Sequence, residues 1–179
     1  MELKRAVFLD RDGVLNDVVI RNGKPHPPDT LEQFKISKGA KQACALLRNS
    51  GFELIVVTNQ PDVTRGKTTF EVVEEFHDHL RKNLEITHFY TCYHDDQDAC
   101  LCRKPSPGLI LNSSEELGID TQKSFMVGDR WRDIEAGNAA GCKSIFIDHS
   151  FDEKQPENYF SKVTSLLEAV HVILGVEPC

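Results

Sequence analysis

The chain has 179 residues, 40% of them hydrophobic and 27% charged, with a formal net charge of −7. That is enough for one domain with a real core, and the acidic balance argues against nucleic acid, whose phosphates call for a basic face. The opening residues MELKRAVFLD carry no export signal and no apolar run reaches membrane-spanning length, so a cytoplasmic protein without membrane contact is expected.

In chain order, residues 6–10 (AVFLD) read as a buried strand ending in acid. Residues 38–49 place Ala40, Ala43, Cys44 and Leu47 at helical spacing, and Gly51 stands where a helix stops. FELIVVTN (52–59) is a second strand, 68–84 a helix, and THFYTCY (87–93) a third strand. A helix over 107–117 follows, opened by a proline whose missing N–H costs nothing there. SFMVGD (124–129), a helix over 133–140 closed by Gly141, KSIFID (143–148) and a last helix over 162–174 complete the order. Cys44 and Cys142 read as core residues. His77 and His79, two apart on a helix, do not share a face.

The strands are continuously apolar and alternate with helices. This predicts an α/β fold, a parallel sheet with helices on both faces. Ligands in such sheets sit beyond the carboxyl ends of the strands. Those ends carry Asp10-Arg11-Asp12-Gly13, Thr58-Asn59-Gln60, a Cys/His stretch leading into Arg103-Lys104, and Gly128-Asp129. Asp10, Asp12 and Asp129 cannot sit together ionised without a cation, and an all-oxygen ligand set suits Mg²⁺. With Thr58 and Lys104 to hold an anion's oxygens, the pattern reads as a phosphate site with a carboxylate placed to attack it. One aspartate at a strand end is more often a turn or cap residue. Four suitable strand ends in order are not explained that way.

The stretch CYHDDQDACLCRKP adds Cys92, His94, Cys100 and Cys102 within eleven residues. Four soft ligands satisfy tetrahedral Zn²⁺ and leave no open position, so the metal is expected to be structural. Asp95, Asp96 and Asp98 read as a solvated loop. Pinning this loop would aim Arg103 and Lys104 at the phosphate.

The segments FLDRDGVLN, VVTNQ, CRKPSPG and FMVGDRWRDIEAG resemble, in this order, the four motifs of the haloacid dehalogenase (HAD) phosphatase superfamily. The resemblance covers nearly the whole chain and implies one Rossmannoid HAD-like domain over 1–179, with a small zinc-bound loop at 92–102. It implies Asp10 as nucleophile, Asp12 as general acid and base, and Thr58 and Lys104 as stabilisers of the phosphoryl oxygens. Mg²⁺ would be held by Asp10, Asp129 and the backbone carbonyl of Asp12. Asp133 would orient the metal's water shell or Lys104, or serve only as a first-turn acid of its helix.

A zinc loop before CRKP resembles the subgroup that holds heptose 1,7-bisphosphate 7-phosphatases and histidinol-phosphate phosphatases. It implies a small phosphorylated metabolite, a sugar bisphosphate, as substrate, with Asn59, Gln60, Pro61, Arg103 and Arg130 near it. Another sugar phosphate or histidinol phosphate is the alternative. Pro61-Asp62 stands where Ser-Gly is usual in the heptose group, Arg130 where lysine is, and the segment at 18–34 also differs. Arg21, Lys24 and His26 in that segment would meet a second phosphate or be ordinary surface charge. Trp131 would wall the pocket or cover the sheet edge. No insertion long enough for a large cap domain is present, so an open site and a monomer are expected.

Overall fold

The computed structural model describes residues 3–176. Six strands form one parallel sheet: β1 (Ala6–Leu9), β4 (Glu53–Asn59), β5 (His88–Cys92), β6 (Phe125–Gly128), β7 (Lys143–Ile147) and β8 (Ser161–Val163), in the order β5-β4-β1-β6-β7-β8. The chain moves outward from β1 to one side through β4 and β5, then to the other through β6, β7 and β8. The strand order therefore reverses at β1. The crevice beyond the carboxyl ends of β1, β4 and β6 is where such sheets bind ligands.

Five helices cover the sheet: α1 (Ala40–Asn49), α2 (Phe70–Leu84), α3 (Gly108–Leu117), α4 (Trp131–Ala139) and α5 (Leu166–Leu174). The side chains of the central strands alternate between two cores. Val7, Leu9, Leu54 and Val56 pack with Leu47, Phe76, Leu80 and Ala169 on one face. Ala6, Phe8, Ile55 and Val57 pack with Leu109, Ile110 and Ala136 on the other. Both faces are dry, which is why the strands read as unbroken apolar runs. Truncating a ring as deeply buried as Phe8 costs about 3–5 kcal/mol. Cys44 and Cys142 are buried core residues. None of the described helices is long and apolar enough to cross a membrane.

Two elements differ from the sequence reading. The segment after β1 forms an antiparallel hairpin, β2 (Val19–Arg21) and β3 (Lys24–His26). Its turn is Asn22-Gly23, both at positive φ, and Asn-Gly is the strongest short signal for a tight hairpin. The last helix starts at Leu166 rather than at residue 162, because Ser161–Val163 is spent as the edge strand β8 beside β7. The Ser165 side chain accepts from the Glu168 N–H at 3.2 Å, and the Glu168 carboxylate accepts from the Thr164 N–H at 2.8 Å. These two bonds mark the helix start, and Ser-x-x-Glu is visible in the sequence.

His77 lies on α2, fully buried, against the ring of Phe89 at 4.7 Å, with Nδ1 2.9 Å from Glu74. Burial, reinforced by the Arg11 guanidinium, pushes its pKa down from 6.5 to about 4. The neutral ring therefore stabilises the fold fully above pH 6.5, and that stability is lost as pH falls through 4, by ~3 kcal/mol at full extent. Urea midpoints should fall across this window, and less steeply in His77→Gln. Parallel pH profiles for the two proteins would refute this.

Candidate functional site

At the head of β1, Asp10 is 8% exposed and its backbone N–H donates to Val127 O at 3.0 Å, which ties the motif to β6. Lys104 reaches the same point from the segment before α3 and is buried. Its Nζ lies 2.8 Å from Asp10 Oδ1, 2.8 Å from the Val57 carbonyl and 2.6 Å from Asp133 Oδ1. Three acceptors match the three protons of the ammonium. Burial alone would lower the Lys104 pKa, but Asp10 and Asp133 outweigh it and hold the group firmly charged. Asp133 does two things: it pairs with Lys104, and its Oδ2 accepts from the Arg130 N–H at 3.0 Å, as a first-turn acid does.

Asp10, Asp129 and Asp133 are all buried, with ligand oxygens within 4.8 Å of one another. Burial, with Asp133 adding to it and Lys104 opposing, pushes the Asp10 pKa up to about 7. Burial and the charges of Asp10 and Asp133 raise Asp129 well above the carboxylate range. Asp129 Oδ1 is buried without a hydrogen-bond partner. A Cβ on Gly13, which sits at φ +83°, would stand 2.1 Å from Asp129 Oδ2, so the first loop closes directly onto this carboxylate. An orphaned buried oxygen among hard oxygen donors fits Mg²⁺.

Asp12 is held differently. Its carboxylate accepts from Arg11 Nη2, Asn16 Nδ2 and Gln60 Nε2, each at 2.9 Å. Burial pushes its pKa up, but the Arg11 guanidinium and the two amides outweigh that and hold it below the usual value. Gln60 Nε2 also donates to Thr58 Oγ1 at 2.9 Å. Asn59 clamps Lys104 on both sides: Nδ2 donates to the Lys104 carbonyl and Oδ1 accepts from its N–H, both at 3.1 Å. Asn59 and Gln60 line the cavity, yet their amides are spent on positioning Lys104, Thr58 and Asp12.

Cys92 Sγ, His94 Nδ1, Cys100 Sγ and Cys102 Sγ come together, with separations of 3.2–3.7 Å. Tetrahedral zinc at about 2.3 Å from each sulfur spans S–S edges of roughly 3.8 Å, so the set fits Zn²⁺. The cluster is tied to the cavity at three points. Arg103 N–H donates to Cys100 Sγ at 3.3 Å, Arg103 Nη1 donates to the His94 carbonyl at 3.1 Å, and Gln60 N–H donates to the Cys92 carbonyl at 2.7 Å. Gly108 lets the loop lie on the start of α3, since a Cβ there would stand 2.2 Å from the Leu101 carbonyl oxygen.

A cavity of about 380 Å³ opens above these groups. Asp10, Lys104, Asp129 and Asp133 line it together with Pro61, Arg103 and Arg130. Arg130 pairs with Glu153 across the rim. His26 and Pro25 of the hairpin also reach the cavity, whereas Arg21 pairs with Asp29 outside it. Trp131 does not line this cavity; with Phe146, His149 and Phe151 it lines a smaller neighbouring one that also touches Asp129.

Sequence reasoning missed several residues. Arg11 lies within the first motif, yet only the fold shows it buried against Asp12, its guanidinium 5.5 Å from the Phe76 ring centroid. Asp96, read as a solvated loop residue, is exposed and in addition binds Arg103 and Arg132. Arg65 and Lys67, in the loop after β4, line the cavity too. A cluster of cations within a few residues of a motif was the available signal.

A family model described as HAD-hydrolase-like matches residues 101–167. Among curated proteins, D-glycero-beta-D-manno-heptose-1,7-bisphosphate 7-phosphatase of Pasteurella multocida is 36% identical, over 81% of this chain and 82% of the relative. The protein of that name from Escherichia coli K12 is 37% identical, over 75% of this chain and 74% of the relative. Among solved structures, D,D-heptose 1,7-bisphosphate phosphatase of B. bronchiseptica, complexed with magnesium and phosphate, superposes with a TM-score of 0.83 at 24% identity, covering 96% of this chain and 98% of that one. With four HAD-type motifs meeting at one sheet edge and relatives of this identity and coverage, the chain belongs to the HAD-like hydrolases, in the family that contains the heptose bisphosphate phosphatases.

Proposed function

We propose that the protein is a Mg²⁺-dependent phosphomonoesterase that removes the 7-phosphate of D-glycero-D-manno-heptose 1,7-bisphosphate through an aspartyl-phosphate. The observation that carries the chemistry is the buried Asp10–Lys104–Asp133 array beside the partnerless Asp129. The names of the relatives support the substrate. An Asp10 carboxylate oxygen attacks phosphorus and the ester P–O bond breaks. Asp12 supplies the proton to the leaving sugar oxygen. Asp12, now a carboxylate, then takes a proton from water as that water attacks phosphorus and frees Asp10. Thr58 and Lys104 offset charge on the phosphoryl oxygens. The bonds from Arg11, Asn16 and Gln60 favour ionised Asp12, which suits the second step. A phosphate dianion beside it raises its pKa, which supplies the protonated form for the first.

Asp10, Asp129 and the Asp12 carbonyl would hold Mg²⁺, which would act as a Lewis acid and offset the charge of the carboxylate and the phosphate as they meet. A neighbour of the same fold binds magnesium and phosphate. Zinc at Cys92, His94, Cys100 and Cys102 is structural in this reading. The enzyme acts as a cytoplasmic monomer on a small metabolite, without nucleic acid or membrane.

The test is phosphate release with Mg²⁺ from both anomers of heptose 1,7-bisphosphate, fructose 1,6-bisphosphate and histidinol phosphate, ranked by kcat/KM. A heptose bisphosphate leading by about a hundredfold, ~2.7 kcal/mol of discrimination, is expected. A lead by histidinol phosphate or a flat profile would refute the substrate assignment and leave the chemistry standing.

A further inference from the structure

The cavity rim carries five basic side chains besides Lys104: Arg65, Lys67, Arg103, Arg130 and Arg132. Most are matched by carboxylates. Arg130 pairs with Glu153, and Arg65 with both Asp62 and Asp95. Lys67 lies 3.7 Å from Asp62. The neighbouring cavity under the hairpin is balanced in the same way: Arg11 faces Asp12, and Arg21 faces Asp29. One place is not balanced. Arg103 Nε and Arg132 Nη1 both donate to Asp96 Oδ1, each at 2.9 Å. Two guanidinium groups share one carboxylate, which leaves the trio with a net positive charge.

The trio is built from separate parts of the fold. Asp96 opens the short 3-10 turn of the Cys/His loop, Arg103 follows that loop, and Arg132 stands in the first turn of α4. Arg132 packs on the Trp131 ring at 4.8 Å, and Lys154 Nζ sits 3.8 Å from the same centroid. The Arg103 side chain is 12% exposed and that of Arg132 33%, so both are confined yet reachable from solvent. Confined guanidinium forks match phosphate oxygens in a bidentate geometry that a mobile lysine does not.

We infer that Arg132, braced by Asp96 and Trp131, is a specificity residue that joins Arg103 in binding the phosphate of the substrate that is not cleaved. The inference rests on the bisphosphate reading and assigns that phosphate to the α4 side of the cavity rather than the hairpin side. It explains why a first-turn position of α4, where an acid is the usual preference, carries arginine.

The experiment compares heptose 1,7-bisphosphate with heptose 7-phosphate, which lacks only the second phosphate. In Arg132→Gln the ratio of the two kcat/KM values should fall about 30-fold, the loss of one charge-assisted pair, mostly through the KM of the bisphosphate. Arg132→Lys should recover part of it. Lys67→Ala, on the opposite side, should move the ratio less than about threefold, in line with its exposed and paired state. An unchanged ratio in Arg132→Gln, or a larger fall in Lys67→Ala, overturns the inference. A wild-type protein that shows no preference for the bisphosphate overturns the functional reading, and this inference with it, before any variant is made.

Discussion

Asp10→Asn should abolish phosphate release, by about 10⁴-fold or more in kcat, equivalent to ~5 kcal/mol or more of barrier. The substitution is nearly isosteric. Its carbonyl oxygen can still accept from Lys104 Nζ, which now lies 2.8 Å from Asp10 Oδ1. An amide, however, does not attack phosphorus. Removing the charge also relieves part of the repulsion that raises the Asp129 pKa, so the fold should survive. The check is single-turnover phosphate release together with zinc content and a thermal melt. A variant that keeps its zinc and its melting temperature but loses turnover identifies the nucleophile. Retained turnover would show that the attacking group is elsewhere, and the mechanism would fall with it.

Loss of zinc should lower stability and activity together. Structural Zn²⁺ carries roughly 10–16 kcal/mol of apparent binding energy in small zinc domains, and that energy is folding energy. Even if about 4 kcal/mol reaches the global fold of a chain this size, the melting temperature drops by about 8–16 °C at roughly 2–4 °C per kcal/mol. Activity follows because the loop holds Arg103 through Cys100 Sγ and the His94 carbonyl, and Gln60 through the Cys92 carbonyl. Gln60 in turn holds Asp12 and Thr58. In Cys100→Ser, metal analysis should show zinc below one equivalent, with kcat/KM reduced even at saturating Mg²⁺. A zinc-free variant with normal kcat/KM would show that the loop does not brace the site.

The sequence by itself determined the architecture and the chemical inventory. Continuous apolar runs between amphipathic stretches are what a doubly covered parallel sheet requires, and the central strands β1, β4 and β6 do divide their side chains between two cores. The grouping of Cys92, His94, Cys100 and Cys102 was legible because a tetrahedral metal would need a compact set of soft donors, and they lie within eleven residues. The hairpin and the start of α5 were written in the sequence as Asn22-Gly23 and as Ser165 with Glu168, but propensity reasoning passed over them. In β8 the residues Ser161–Val163 have no strong apolar pattern, and pairing with β7 decided their state.

The partners of each charge were decided only by the tertiary structure. Asp12 and Asp129 are both aspartates next to motif glycines, yet one is held below its usual pKa and the other raised well above it. Arg11, Asn16 and Gln60 surround the first, and the second is buried beside Asp10 and Asp133. Asp96 and Arg132 are 36 positions apart and meet at the cavity rim. Interactions of this kind depend on distance and local dielectric. Sequence spacing specifies neither once the chain leaves a single helix or strand.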